Sequence, residues 1–199
     1  MSSLDKIKKR LFDIVVSLLA IIILLIPILF LIIIATFDTT KFGLFFQERI
    51  GKGGKVFYIF KIRTLKNTGA KPSNFGSFLR GWKLDELPQF FNVFLSQMSV
   101  VGPRPDLVGF ADELKGGDKM VLNVKPGLTS RASLKYFNEE EILKRQKNPV
   151  FYNESVIWPD KVKLNRLYVQ NWTFKEDLKI LLDTLLLIIK KNNAKNRGA

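Results

Sequence analysis

From Leu11 to Phe37 the chain is apolar, interrupted only by Asp13, Ser17 and Thr36. A run of this length suffices for a transmembrane helix. It is too long for a cleaved signal peptide, and no small-residue cleavage site follows it. Pro27 lies within it, where a proline removes a backbone hydrogen bond and either costs about 3 kcal/mol or bends the helix. Both flanks are basic. Lys6, Lys8, Lys9 and Arg10 precede the run, and Lys41, Arg49, Lys52, Lys55, Lys61, Arg63 and Lys66 follow it, opposed by Asp5, Asp38 and Glu48 alone. Lys- and Arg-rich flanks stay in the cytoplasm, so both ends are expected on one face. The half before Pro27 would be ~24 Å long as helix and the half after it ~15 Å. Neither crosses a hydrocarbon core of ~30 Å. The segment is therefore expected to be a proline-broken, re-entrant helix that enters and leaves one leaflet, with its break at Pro27. The alternative is a kinked single span. Arg10 and Asp13, spaced i, i+3 where the run meets the head groups, are expected to pair and fix insertion depth. Residues 1–37 thus form the membrane anchor and 38–199 a cytosolic, membrane-associated domain.

The remaining residues limit the available chemistry. The chain has 199 residues, no cysteine and no histidine. Disulfides, a thiol nucleophile, a thiolate zinc site and the commonest general base are excluded. Any metal would be bound through oxygen, which points to Mg2+ or Mn2+. The formal net charge of +14 calls for anionic partners: nucleic acid, acidic lipid or phosphorylated small molecules.

Residues 79–105 read LRGWKLDELPQFFNVFLSQMSVVGPRP. Pro88 is tolerated in a first helical turn. Leu87, Phe90, Phe91, Phe94 and Leu95 recur at helical spacing. Asp85 and Glu86 therefore belong at a helix start, where the dipole is expected to keep both ionised. Arg80 lies upstream, and Arg104 sits in a Gly-Pro-Arg-Pro turn stiffened by its prolines. Such carboxylates can attack phosphorus or hold a metal, and the arginines can grip phosphate oxygens.

Residues 45–50 and 55–65 read as strands joined through Gly51–Gly54. Phe57, Ile59, Lys61 and Arg63 share one face of the second strand, so Lys61 and Arg63 could meet one ligand. Residues 67–76 read as loop, 106–122 as a short interrupted helix, Leu128–Tyr136 as a strand carrying Arg131, and Asn138–Pro159 as a loop over the site. Thr173 and Glu176 form a capping box. The helix it opens bears Leu178, Leu181, Leu182, Leu185, Leu186 and Ile189 on one side and ends in Lys190, Lys191, Lys195 and Arg197. That is the composition of a helix on an anionic bilayer, or of one packed on a core. The fold class expected is α+β (mixed α/β) and helix-rich: the membrane helix, a small catalytic domain with a short β-hairpin, and interfacial amphipathic helices.

Taken in order, these pieces resemble the monotopic phosphoglycosyl transferases, bacterial sugar transferases that load polyprenyl phosphate. The resemblance rests on Lys-Arg-Leu-Phe-Asp at 9–13, the proline in the apolar run, Phe-Lys-Ile-Arg-Thr at 60–64 and Leu-Asp-Glu-Leu-Pro-Gln at 84–89. It continues through Asn92-Val93, Met98-Ser99, Val-Gly-Pro-Arg-Pro at 101–105, Lys-Pro-Gly-Leu-Thr at 125–129, Tyr168-Val169, Asn171 and Asp177–Ile180. Ile26, Lys83, Gln97 and Ser130 depart from the family pattern. The chain matches the minimal catalytic form. The resemblance implies that Asp85 attacks the β-phosphate of a UDP-sugar and releases UMP. Polyprenyl (undecaprenyl) phosphate then takes the phosphosugar. It further implies that Glu86 holds Mg2+ (or Mn2+), and that Lys61, Arg80 and Arg104, with Arg63 and Arg131, bind phosphate. The implied setting is the cytoplasmic face of a bacterial inner membrane, with UDP-sugar, polyprenyl phosphate and anionic lipids as partners and no nucleic acid. The competing reading is a non-catalytic, membrane-tethered basic module that binds nucleic acid or anionic lipid.

Overall fold

The computed structural model describes residues 2–67 and 69–197, with side chains described as far as Lys190. Lys191, Lys195 and Arg197 of the terminal basic cluster lie outside the described side chains.

Helix α1 spans Ser3–Thr39 and opens on a capping box between Ser2 and Asp5. It continues through Pro27 as one element. The expected separation into two helices is corrected to a single helix with an internal proline, which forfeits one backbone bond without ending the ladder. By length and composition α1 could cross a membrane. Residues 18–27 carry no buried side chain. Its two ends, in contrast, pack on one and the same body. Near the start, Phe12 and Val16 lie against the core of Ile59, Val93, Met98, Val100, Val101, Tyr168 and Ile180. Near the end, Leu31, Ile32 and Ala35 pack with Ile62, Leu79 and Leu84. Gly43 permits this second contact, because a Cβ there would sit 2.0 Å from the Ile32 carbonyl oxygen.

Strands β1 (Leu44–Ile50) and β2 (Val56–Ile62) form the expected antiparallel hairpin, with Phe45 opposite Lys61 and Arg49 opposite Phe57. Helix α2 (Asn74–Trp82), begun by a Ser73 cap, occupies part of the stretch read as loop. Lys83 ends it in the left-handed region at φ 58°, and a 3-10 turn at Leu84–Glu86 follows. Helix α3 (Gln89–Phe94) continues from Pro88. Strand β3 (Ser99–Val101) runs parallel to β4 (Gly127–Thr129). The two meet at Gly102 and Gly127, where a Cβ on Gly127 would fall 2.1 Å from the Gly102 nitrogen. That close approach sets the Gly-Pro-Arg-Pro turn against the sheet.

Between β3 and β4 the chain makes 3-10 turns at Ala111–Glu113 and Gly116–Asn123. The strand expected through Arg131 stops at Thr129. Ser130 accepts from the Ser133 N–H and starts helix α4 (Arg131–Lys135). The segment expected as a loop is helical: α5 (Glu139–Lys144), α6 (Pro149–Tyr152) and a π turn at Asn153–Ile157, leading into α7 (Trp158–Gln170). Helix α8 (Phe174–Arg197) begins where the capping box placed it, with the Glu176 N–H donating to Thr173 Oγ1. Asp177 and Ile180 face inward, whereas Leu178, Leu182, Leu185, Leu186 and Ile189 are exposed on its outer side. The fold is the helix-rich α+β class expected, with small sheets and one long apolar N-terminal helix.

Candidate active site

The Lys83 left-handed turn and the 3-10 turn after it hold Asp85 and Glu86 where α2, β2 and the Pro103–Pro105 turn converge. Glu86 Oε1 accepts from Arg104 Nη2 and lies 3.6 Å from Lys61 Nζ. Burial alone would raise the Glu86 pKa. The Arg104 guanidinium and the Lys61 ammonium outweigh it and hold the carboxyl well below the usual carboxylate range. Burial lowers Lys61, partly offset by Glu86. Glu86 raises Arg104 against the opposing effect of burial.

Asp85, the adjacent residue, is in the opposite state. It is 9% exposed. Burial, reinforced by the Glu86 charge, pushes its carboxyl up to about 6, against the pull of Lys61, Lys83 and Arg80. Both acids are still mostly ionised at neutral pH, but the helix-start dipole expected to keep them so does not govern Asp85. Helix α3 has only six residues, and desolvation exceeds whatever its dipole offers. Asp85 Oδ1 is buried without a hydrogen-bond partner. One acid is thus neutralised by cations, and the other keeps an uncommitted oxygen.

The other expected residues divide. Lys61 and Arg104 join the acid pair directly. Arg80 is near enough to act on Asp85, but its guanidinium bonds Glu140 of α5. Arg63 does not join. β2 ends at Ile62, and Arg63 turns to donate to the Phe42 carbonyl (2.9 Å) and to stack on Phe45. Arg131 is also elsewhere, bound to Glu176 at 2.5 Å and Asp183 at 3.3 Å on α8. Arg10 and Asp13 do not pair with each other. Arg10 donates to the carbonyls of Val93 and Phe94, both at 2.8 Å, and Asp13 accepts from Ser99 Oγ at 3.0 Å and the Val100 N–H at 2.9 Å. Each fastens α1 to the domain, because the backbone of α3 and β3 offers bonding groups that the head-group region was expected to supply.

Three groups at the site were not anticipated. Arg49 lies on the hairpin face of Lys61, and burial, with help from Arg104, lowers it to about 10. Asp106 beyond the Gly-Pro-Arg-Pro turn is pushed by burial to about 6. Lys83 acts on both acids. For Arg49 the signal was present, since a hairpin closed at residues 51–54 pairs Arg49 with Phe57, four residues from Lys61 on the same face.

Among the described residues no three acidic, histidine or cysteine side chains gather to hold a metal. Mg2+ commonly uses one or two carboxylates together with substrate phosphates. The acid pair, with its orphaned Asp85 oxygen and all-oxygen donor set, fits that mode.

An apolar helix held at both ends by one domain and an adjacent acid pair with Lys61 and Arg104 on Glu86 suit a membrane-associated protein with an anion-facing site. The sequence comparisons are specific. The model of the bacterial sugar transferase family matches residues 4–191, and the chain belongs to that family. It is 33% identical, over 93% of its length, to a UDP-glucose:undecaprenyl-phosphate glucose-1-phosphate transferase of Klebsiella pneumoniae, covering 41% of that protein. It is 30% identical over 92% of its length to the uncharacterized sugar transferase EpsL of Bacillus subtilis, covering 88% of that one. A UDP-glucose:undecaprenyl-phosphate glucose-1-phosphate transferase of Escherichia coli is 29% identical, with 41% of it covered. The chain thus spans about two fifths of the longer relatives.

Proposed function

We propose that this protein transfers a phosphosugar from a UDP-sugar to polyprenyl phosphate, with Asp85 as nucleophile and UMP as leaving group. The observation that carries the proposal is the buried, unpartnered Oδ1 of Asp85 beside a Glu86 already neutralised by Arg104 and Lys61. A carboxyl at about 6 is mostly ionised at neutral pH, yet poorly solvated, which favours attack. In the first step an Asp85 oxygen gives its electron pair to the β-phosphorus. The bond from phosphorus to the bridging oxygen breaks, and that pair leaves with UMP. In the second step a polyprenyl phosphate oxygen attacks the same phosphorus, and the pair of the Asp85–phosphorus bond returns to the carboxylate. A phosphoanhydride is consumed and one is formed, so the exchange is nearly balanced.

Lys61 and Arg104 are the phosphate-binding groups, and Arg80 becomes a third once it leaves Glu140. Mg2+ (or Mn2+), held by Glu86 with Asp85, would supply charge neutralisation at the diphosphate. Support for the re-entrant arrangement comes from α1. Because one domain grips both ends, both flanks lie on one side, and the exposed stretch around Pro27 enters a single leaflet as a re-entrant element. The exposed leucines of α8 lie on the same anionic surface. We place the domain on the cytoplasmic face of the bacterial inner membrane, where nucleotide-sugar and lipid phosphate meet. The non-catalytic basic module is disfavoured because Lys61 and Arg104 pair with the Glu86 carboxylate rather than lining an open face.

The test is nucleotide release from purified protein with Mg2+, undecaprenyl phosphate and a panel of UDP-sugars. Lipid-dependent UMP is the expected product. UDP in its place would mean that the sugar moves without its phosphate, and the proposal would fall.

A further inference from the structure

Among the described residues two buried side-chain polar atoms lack a hydrogen-bond partner, Asp85 Oδ1 and Gln89 Nε2. Their residues lie four apart in the chain. From Leu84 to Phe94 the backbone stays helical, with Leu87 and Pro88 both right-handed and bonds from Phe90 to Leu87 and from Phe91 to Pro88 bridging the 3-10 turn to α3. The bonds along that path run from i+3 to i, so residues 85 and 89 lie little more than one turn apart, close enough for one bound group to meet both side chains. Gln89 is 3% exposed, so water does not serve its amide. One atom is an acceptor and the other a donor, yet they do not bond each other. Burying both unmade is costly, and the cost is recovered when a group arrives that uses both.

We propose that Gln89 is a further catalytic residue, donating its amide N–H to a non-bridging oxygen of the phosphoryl group while that group is carried on Asp85. This rests on the reading of Asp85 as nucleophile. When Oδ1 bonds phosphorus, the phosphoryl oxygens come within reach of the Gln89 amide about one turn along the chain, and they are acceptors that gain negative charge as the bridging bond breaks. Arg104 and Lys61 neutralise from the Glu86 side, and Gln89 fixes orientation from the other side without adding charge. An amide suits that position because a further cation there would pair permanently with Asp85 and suppress its attack.

The test compares wild type, Gln89→Met and Asp85→Asn in detergent with Mg2+ and no lipid. It measures exchange of labelled UMP into UDP-glucose, UDP-galactose or UDP-N-acetylgalactosamine, using whichever the wild type accepts. Gln89→Met keeps the size and drops the donor. Its kcat for exchange is expected to fall about 10²-fold, with KM within threefold and the melting temperature unchanged or raised, since a buried unmade amide is removed. Exchange by Gln89→Met within threefold of wild type, or a rate loss accounted for by less folded protein, would overturn the proposal. Exchange by Asp85→Asn at the wild-type rate would instead overturn the reading beneath it.

Discussion

Asp177 and Asp85 are both buried carboxylates, and the fold treats them in opposite ways. Asp177 has no exposed surface. It accepts from Lys9 at 2.5 Å, Tyr168 at 2.6 Å and the Trp172 indole at 3.0 Å. Asp13 is similarly complete, with Ser99 and Val100 on one oxygen. These acids join α1 to β3, α7 and α8, and their bonding capacity is spent on structure. Asp85 is almost as buried, but it has an oxygen with no partner. The comparison teaches that burial alone marks neither structure nor chemistry. A buried acid whose partners are all present is a joint, and one left short beside a neutralised neighbour is the kind proposed above as nucleophile.

Substitution separates the two regions most sharply. Asp85→Asn should reduce UMP formation by roughly 10⁴-fold. Its stability at neutral pH should match or exceed the wild type, because a poorly solvated charge is gone. A large loss of stability would place Asp85 with Asp177. The converse variant, Asp177→Ala, leaves Lys9 buried without its counter-ion and strands Tyr168 and Trp172. It should cost about 3–5 kcal/mol in denaturant unfolding, with kcat per folded molecule nearly unchanged. Loss of turnover at full stability would contradict the structural role.

The pH dependence sharpens the contrast. An Asp85 carboxyl raised to about 6 must be ionised to attack, so kcat/KM should fall tenfold per pH unit below about 6. For stability the sign is reversed. A raised folded pKa contributes stability below the unfolded value near 4, and that contribution, about 3 kcal/mol, disappears as pH rises through 6. Asp85→Asn should lack this dependence. Glu86, held low by Arg104 and Lys61, acts in the other direction: its stabilisation is present above its ordinary value and lost as pH falls well below it. The smallest effect is expected at Arg131. Its pairing with α8 at a partly exposed position is worth about 0.5–1 kcal/mol, and Arg131→Ala should leave the KM for UDP-sugar within twofold. A tenfold rise in KM would return it to the phosphate site.

Local patterns in the sequence carried much of this. The apolar run, the hairpin, the helix around Phe90–Phe94 and the Thr173 cap followed from spacing, whereas the grouping of Lys61 with Arg104 and the acid pair came from the family resemblance. Long-range joints did not. Lys9 and Asp177 are 168 residues apart, and no periodicity links them. Asp13 read as a head-group residue because its partners, Ser99 and the Val100 N–H, are supplied by tertiary folding. Arg63 was misplaced by extending strand alternation one residue past the end of β2. Arg131 was misplaced because the Ser130 cap, which turns the chain into α4, resembles a continuing strand. The unequal states of Asp85 and Glu86 depend on burial, which adjacent letters do not encode.

Intact mass measurement tests the central claim most directly. Wild-type protein incubated with Mg2+ and an accepted UDP-sugar, without lipid, should gain the mass of one phosphosugar. Peptide mapping should place it on Asp85, and undecaprenyl phosphate should discharge it. An adduct on any other residue, or brisk lipid-dependent UMP release with no adduct at any time, would contradict Asp85 as the nucleophile.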